Sequence, residues 1–136
     1  MAIAHAHPAD VVSVRPLRDR LAQEVTTTLV KTERLEVLRM VMPRGKHLPR
    51  HEVPGEITLQ CLEGRVKVNL EDRVVELAAG DFTYLDGHRP HDLEAVLDST
   101  VLVTILLARE QKAPPRPWPS VLASELDELL PVESWQ

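Results

Sequence analysis

The sequence is short of cysteine, glycine, aromatic side chains, net positive charge and long apolar runs, and each shortage excludes something. A single cysteine, Cys61, cannot form an intramolecular disulfide, so a disulfide-stapled scaffold is excluded and a reducing, cytoplasmic compartment is expected. Five glycines are too few for a collagen-like chain, and with eleven prolines, six histidines and four aromatic residues the composition fits no low-complexity class. Sixteen Lys and Arg stand against twenty-one Asp and Glu, a formal net charge of −5, so the overall field repels nucleic acid and no nucleic-acid partner is expected. The longest apolar stretch, Val101 to Ala108, is interrupted by Thr104 and falls far short of the ~20 residues of a spanning helix. No membrane partner is expected, and that stretch reads as a buried strand.

What is present fits one domain: 136 residues suffice to bury roughly two thirds of the unfolded surface around a single core. Residues 1–10 lack the basic start and apolar run of a signal peptide and read as a flexible tail, with His5 and His7 solvated on it. From Leu35 the pattern has period two. Leu35–Met42 is apolar on both faces, as is Thr100–Ala108, which is expected to be central in its sheet. Between them Glu56–Leu62, Arg65–Leu70, Arg73–Ala78, Phe82–Leu85 and His91–Leu97 alternate, separated by turn signals at Gly64, Asn69–Asp72, Gly80–Asp81 and Gly87–Pro90. The β-branched runs between Val11 and Lys31 predict one or two further strands, with Arg15–Glu24 a loop or a short helical turn.

Proline placement agrees, because proline has no ladder donor and is confined to edges, starts and turns. None occurs between Gly55 and Arg89 or between His91 and Ala113, whereas four fall within Pro114–Pro119. Residues 111–136 therefore read as an extended arm leading to a short amphipathic helix, capped by Ser120 and ended by Pro131, outside a barrel spanning 11–110. The helix would cap its own barrel or dock on a partner subunit. Short strands at regular spacing with turns between them give an antiparallel sandwich or barrel.

Four of the six histidines fall in two short stretches, Gly45–Gly64 and Gly80–His91. Gly45, His51 and Gly64 in the first, and Gly80 and His91 in the second, stand at the spacing of two signature motifs. On these residues the sequence resembles the cupin superfamily over roughly Leu35 to Ala108. The resemblance implies an all-β fold, the RmlC-like jelly-roll antiparallel barrel, here with a short C-terminal helix. It also implies a ligand pocket inside the barrel near His51 and His91, lined by Val53, Ile57, Leu59 and Phe82.

The departures from the motifs bear on function. Metal-bearing members hold their ion with a His, His, Glu, His set, of which only His51 and His91 remain; Val53 replaces the second His and Ile57 the Glu. Catalytic zinc and iron sites generally use three protein ligands. His47 lies four positions from His51, about 13 Å along a regular strand, unless the chain bends at Pro49. Glu56 has the wrong parity unless a bulge near Gly55 re-aims it, and His88, on a turn three residues before His91, is the best substitute. Each also has a plainer role: His47 and His88 as solvated side chains, Cys61 as a small buried hydrophobe, Arg39 at a water-facing edge, and Phe82 and Tyr84 as wall packing.

Three functional readings follow. The first is a small-molecule-binding barrel without a full metal site. The second is a metal-dependent dioxygenase, isomerase or decarboxylase, with Zn, Fe, Mn or Ni on His51, His91 and either His88 or Glu56. The third is an assembly role for the C-terminal arm. A homodimer is expected, because the strands apolar on both faces carry more apolar surface than one interior needs.

Overall fold

The computed structural model describes residues 5–107; the expected arm and helix at 111–136 lie outside the described residues. Nine strands follow one another: β1 (Thr27–Lys31), β2 (Leu35–Met42), β3 (His47–His51), β4 (Ile57–Glu63), β5 (Arg65–Asn69), β6 (Val74–Ala78), β7 (Phe82–Leu85), β8 (His91–Ala95) and β9 (Ser99–Leu106). They form two antiparallel sheets, β1-β2-β9-β4-β7 and β3-β8-β5-β6. The doubly apolar β9 lies in the middle of the first, as its composition predicts, with β2 and β4 on either side.

Alternation decides which side chains meet between the sheets. Met40, Leu59, Cys61, Val101 and Val103 from the first sheet join Val66, Val68, Leu77 and Leu93 from the second in one buried cluster. Truncating a fully buried leucine such as Leu59 in a cluster of this kind costs about 2–5 kcal/mol.

The second apolar face of β2 is explained by a short 3-10 segment, Arg18–Gln23, whose Leu21 packs with Leu17 and Val41 in a separate small cluster. The Glu63 carboxylate fixes its start, accepting the N–H groups of Leu17 at 2.9 Å and Arg18 at 3.1 Å. Of the strands expected between Val11 and Lys31, one forms, β1; Val11 is almost wholly exposed and finds no sheet face to fill. Within the expected tail, Ala6 donates its N–H to the Leu29 carbonyl at 2.8 Å.

β3 is a strand that the sequence pattern does not declare. It lies at the edge of its sheet, where Pro49 is tolerated. Its pairing with β8 runs Leu48↔Leu93 and then His51↔His91, so Pro49 and Arg50 together oppose Asp92. That is a β-bulge of one extra residue.

At one end of the sandwich the β3–β4 and β7–β8 loops touch: His88 donates its N–H to the Val53 carbonyl at 2.7 Å, and a side chain at Gly87 would overlap the Pro54 carbonyl. Towards the other end, Gly64 has φ +85° and a Cβ there would overlap Asp98 and Ser99, which is why β4 passes to β5 through glycine.

Candidate functional site

Between the sheets, at the end where those two loops meet, lies a cavity of about 140 Å³. β2 contributes Leu38 and Met40 to its wall, β4 contributes Ile57 and Leu59, and β9 contributes Val103 and Ile105. The opposite sheet supplies Leu48, Leu93, His51 and His91. All of these side chains except the two imidazoles are aliphatic or thioether, so polar chemistry in the cavity is confined to one pair of rings.

The ring centroids of His51 and His91 lie 4.3 Å apart at a tilt of 58°. His91 is 2% exposed, whereas His51 is open to solvent. The bulge makes the pair possible. On a regular strand Leu48 and His51, three residues apart, would point to opposite faces; the extra residue between them lets both line the cavity.

Each ring is tied back to its own strand. His51 Nδ1 lies 3.0 Å from the Pro49 carbonyl and His91 Nδ1 lies 2.8 Å from the Arg89 carbonyl. A carbonyl oxygen only accepts, so in both rings Nδ1 carries the hydrogen, and in the neutral ring Nε2 keeps its lone pair. Burial holds the His91 imidazole below its ordinary pKa, and the nearby His51 ring acts in the same direction; the Arg89 carbonyl and Asp92 oppose them. The neutral form of His91 is therefore favoured.

The other residues singled out in the sequence lie elsewhere. Phe82 is a correction: it pairs with Gln60 on the outer face of the five-stranded sheet, where it is 66% exposed, because its parity is opposite to that of Leu85. Tyr84 shares that outer face, so neither ring packs the inner wall. Val53 packs against the rim of the core cluster and is not among the side chains lining the cavity. Glu56 is not re-aimed by a bulge; its carboxylate accepts the Tyr84 hydroxyl at 2.6 Å, raising the phenol pKa. His88, with φ +60°, bonds to Glu52 at 3.1 Å on the surface.

His47 bonds to Asp92 at 2.7 Å on the face away from the cavity, and Asn69 donates to the same carboxylate at 2.8 Å. The Asn69 bond and then His47 hold the Asp92 carboxyl below its ordinary range. Arg39, on the outer parity of β2, is half-buried; its Nε is buried and lacks a hydrogen-bond partner among the described residues. Cys61 is wholly buried, and desolvation pushes its thiol up, away from thiolate chemistry.

The sequence reasoning missed Leu38, Met40, Leu48, Leu93, Val103 and Ile105 as lining residues. Strand parity carries that signal for five of them; Leu48 depends on the bulge.

A transition-metal site of the kind the resemblance implies needs a donor set that these residues do not complete. Among the described residues no group of three or more His, Cys, Asp or Glu side chains converges. His51 and His91 have the second-shell carbonyl bonds typical of ligating imidazoles, but the candidates to join them are bonded elsewhere.

A sequence model of the cupin domain matches residues 38–107, which include both imidazoles and every strand that builds the cavity. The chain belongs to the cupin family. The cupin jelly roll recurs in solved structures. One is a conserved protein of unknown function from Streptococcus pyogenes, 22% identical, covering 81% of this chain and 97% of that one at a TM-score of 0.63. A cupin superfamily protein from Desulfitobacterium hafniense is 16% identical, covering 76% and 100% at 0.63. A protein from Thermotoga maritima described as a predicted oxalate decarboxylase is 24% identical, covering 61% and 79% at 0.55. At these identities the likeness speaks for the fold. No curated protein matches the sequence. Among the described residues no helix is long and apolar enough to cross a membrane.

Proposed function

We propose that this cupin binds a small molecule in the cavity between its sheets, against His51 and His91. The observation that carries the reading is a 140 Å³ apolar cavity whose polar groups are two imidazoles with fixed orientation. Cys61, a buried thiol with no partner cysteine, supports a cytoplasmic setting.

The enzyme reading, a dioxygenase, isomerase or decarboxylase with a divalent metal, needs a third donor beside the two histidines, and Glu56 and His88 are committed to Tyr84 and Glu52. Metal analysis of protein purified without an affinity tag tests both readings. The binding reading expects less than about a tenth of an equivalent of transition metal after reconstitution. Close to one equivalent, lost in both His51→Ala and His91→Ala, would overturn it in favour of the enzyme.

The partner we infer is a second copy of the chain, seated on the outer face of the five-stranded sheet. Phe82, Tyr84 and Leu106 are each at least half exposed there, and Arg39 is the one cation that β2, β9, β4 and β7 place on that face. With the Glu56 carboxylate bonded to Tyr84 as its anion, the face carries few charges and both signs, and does not repel its own image across a two-fold axis. Sedimentation of the full chain and of a Phe82→Lys, Leu106→Lys variant tests this. A dimer turned monomer supports it; a wild-type monomer overturns it, as does a dimer that the variant leaves intact.

A further inference from the structure

The cavity's hydrogen-bonding capacity is one-sided, and this selects a class of ligand. Both Nδ1 atoms are committed to backbone carbonyls, at 3.0 Å for His51 and 2.8 Å for His91. The remaining ring nitrogens, the two Nε2 atoms, are acceptors in the neutral rings. No other lining side chain carries a nitrogen or oxygen, and no lysine or arginine lines the cavity. With its rings neutral, a site of this kind offers acceptors, no side-chain donor and no lysine or arginine. Burial of His91 at 2% exposure keeps the inner acceptor uncharged.

Resting on the binding function proposed above, we propose that the ligand is an uncharged single-ring alcohol or phenol whose hydroxyl donates to an imidazole Nε2 while the ring fills the aliphatic cavity. Size agrees: an apolar protein cavity of about 150 Å³ holds one benzene molecule, and this one measures about 140 Å³. Hydroxyl chemistry agrees as well, since the O–H supplies the donor that the site lacks. Against neutral rings a carboxylate or phosphate would meet two lone pairs, with no lysine or arginine in the lining to pair it. A ketone would present an acceptor to acceptors. A free sugar would leave several hydroxyls unpaired against Leu59, Leu93 and Val103, each costing about 1–3 kcal/mol. Of the lining side chains His51 alone is exposed, while His91 is buried.

The test is an NMR titration of the full chain, methyl-labelled at isoleucine and leucine, with phenol, cyclohexanol, benzene, cyclohexanone and benzoate. Phenol and cyclohexanol are expected to shift the Ile57 and Leu59 methyl signals and to bind about tenfold more tightly than benzene, the worth of one buried hydrogen bond. Cyclohexanone and benzoate are expected to bind more weakly than either alcohol. In His91→Leu, and in His51→Leu at the solvent-open position where folding is least at risk, the preference for phenol over benzene should fall at least threefold. Benzoate or cyclohexanone matching phenol would overturn the ligand class while leaving a binding cavity in place. A phenol preference unchanged in both variants would overturn the role of the imidazoles. If none of the five probes moves the cavity methyls, the binding function itself fails.

Discussion

Leu48 and His51 are separated by two residues on β3 and yet line the same cavity, because Pro49 and Arg50 share the single partner Asp92. The bulge therefore absorbs the odd spacing between them and keeps both side chains on the inner face of an edge strand.

Deleting Arg50 should convert the bulge into regular pairing while leaving Leu48 and His51 on one face, since two residues apart on a regular strand also share a face. The variant loses the Arg50–Asp92 ion pair, long at 3.8 Å and half-exposed on the arginine side, which is worth about 1 kcal/mol. The expected outcome is a folded protein that keeps magnetisation transfer between the His51 and His91 ring protons. Inserting a second residue after Arg50, more than one bulge absorbs, should displace His51 from its partner His91 and abolish that transfer, and its survival in the insertion would count against the role given to the bulge.

His91 makes stability depend on pH in a defined direction. Its folded-state pKa lies below the ordinary value of 6.5, so the unfolded chain binds the proton first as pH falls. The stabilisation is complete above 6.5 and is lost as the pH falls through that value towards the folded-state pKa. Thermal melts from about pH 7.5 to 5 should show a steeper loss for the wild type than for His91→Gln, which cannot titrate. Parallel curves would place the titrating group elsewhere.

Glu63 is expected to govern whether the segment Arg18–Gln23 stays on the sheet. Glu63→Ala removes two charge-assisted bonds to the Leu17 and Arg18 amides and should cost about 1.5–3 kcal/mol in urea unfolding. Hydrogen exchange at Leu21 and Glu24 should accelerate more than at Val66 in the core. Uniform acceleration would mean that the carboxylate acts on global stability alone.

Gly64→Ala places a Cβ against Asp98 and Ser99 at φ +85°. A left-handed alanine alone costs about 1–2 kcal/mol, and the overlap with a backbone carbonyl adds to it. A fall in Tm well above 5 °C is expected for a domain of about this size. Gly80→Ala, with a similar φ of +94° but open space around it, should cost clearly less. Equal losses would mean that the backbone angle, and not the contact, sets the requirement.

The barrel was legible because its signals are local and periodic. The alternation from Leu35 to Leu106, and the glycines at 45, 64 and 80, all with positive φ, carry the strand positions and the turns. Parity also read Glu56 as outward, and it bonds to Tyr84 there. Phe82 went the other way for a reason of the same kind: it has the parity of Tyr84, not of Leu85, and the aromatic character that suggested a pocket wall has no bearing on direction. β3 and its bulge were hidden because HLPRH has no apolar alternation; its strand character comes from pairing with β8, a non-local contact. The Glu63 clamp was hidden for the same reason, since it joins residues more than forty positions apart.

Pro49 has a further consequence for how molecules of this protein meet in solution. Among the described residues β3 ends its sheet, the place where a sheet can recruit a strand from another chain and grow. A proline with no N–H and a bulge that breaks the hydrogen-bonding rhythm together make this edge a poor template. The irregularity that turns His51 inward thus also acts as a guard against strand-on-strand aggregation. Smoothing the edge with a regular β-branched residue at position 49 would expose the protein to fibrous self-association, even where the cavity survived intact.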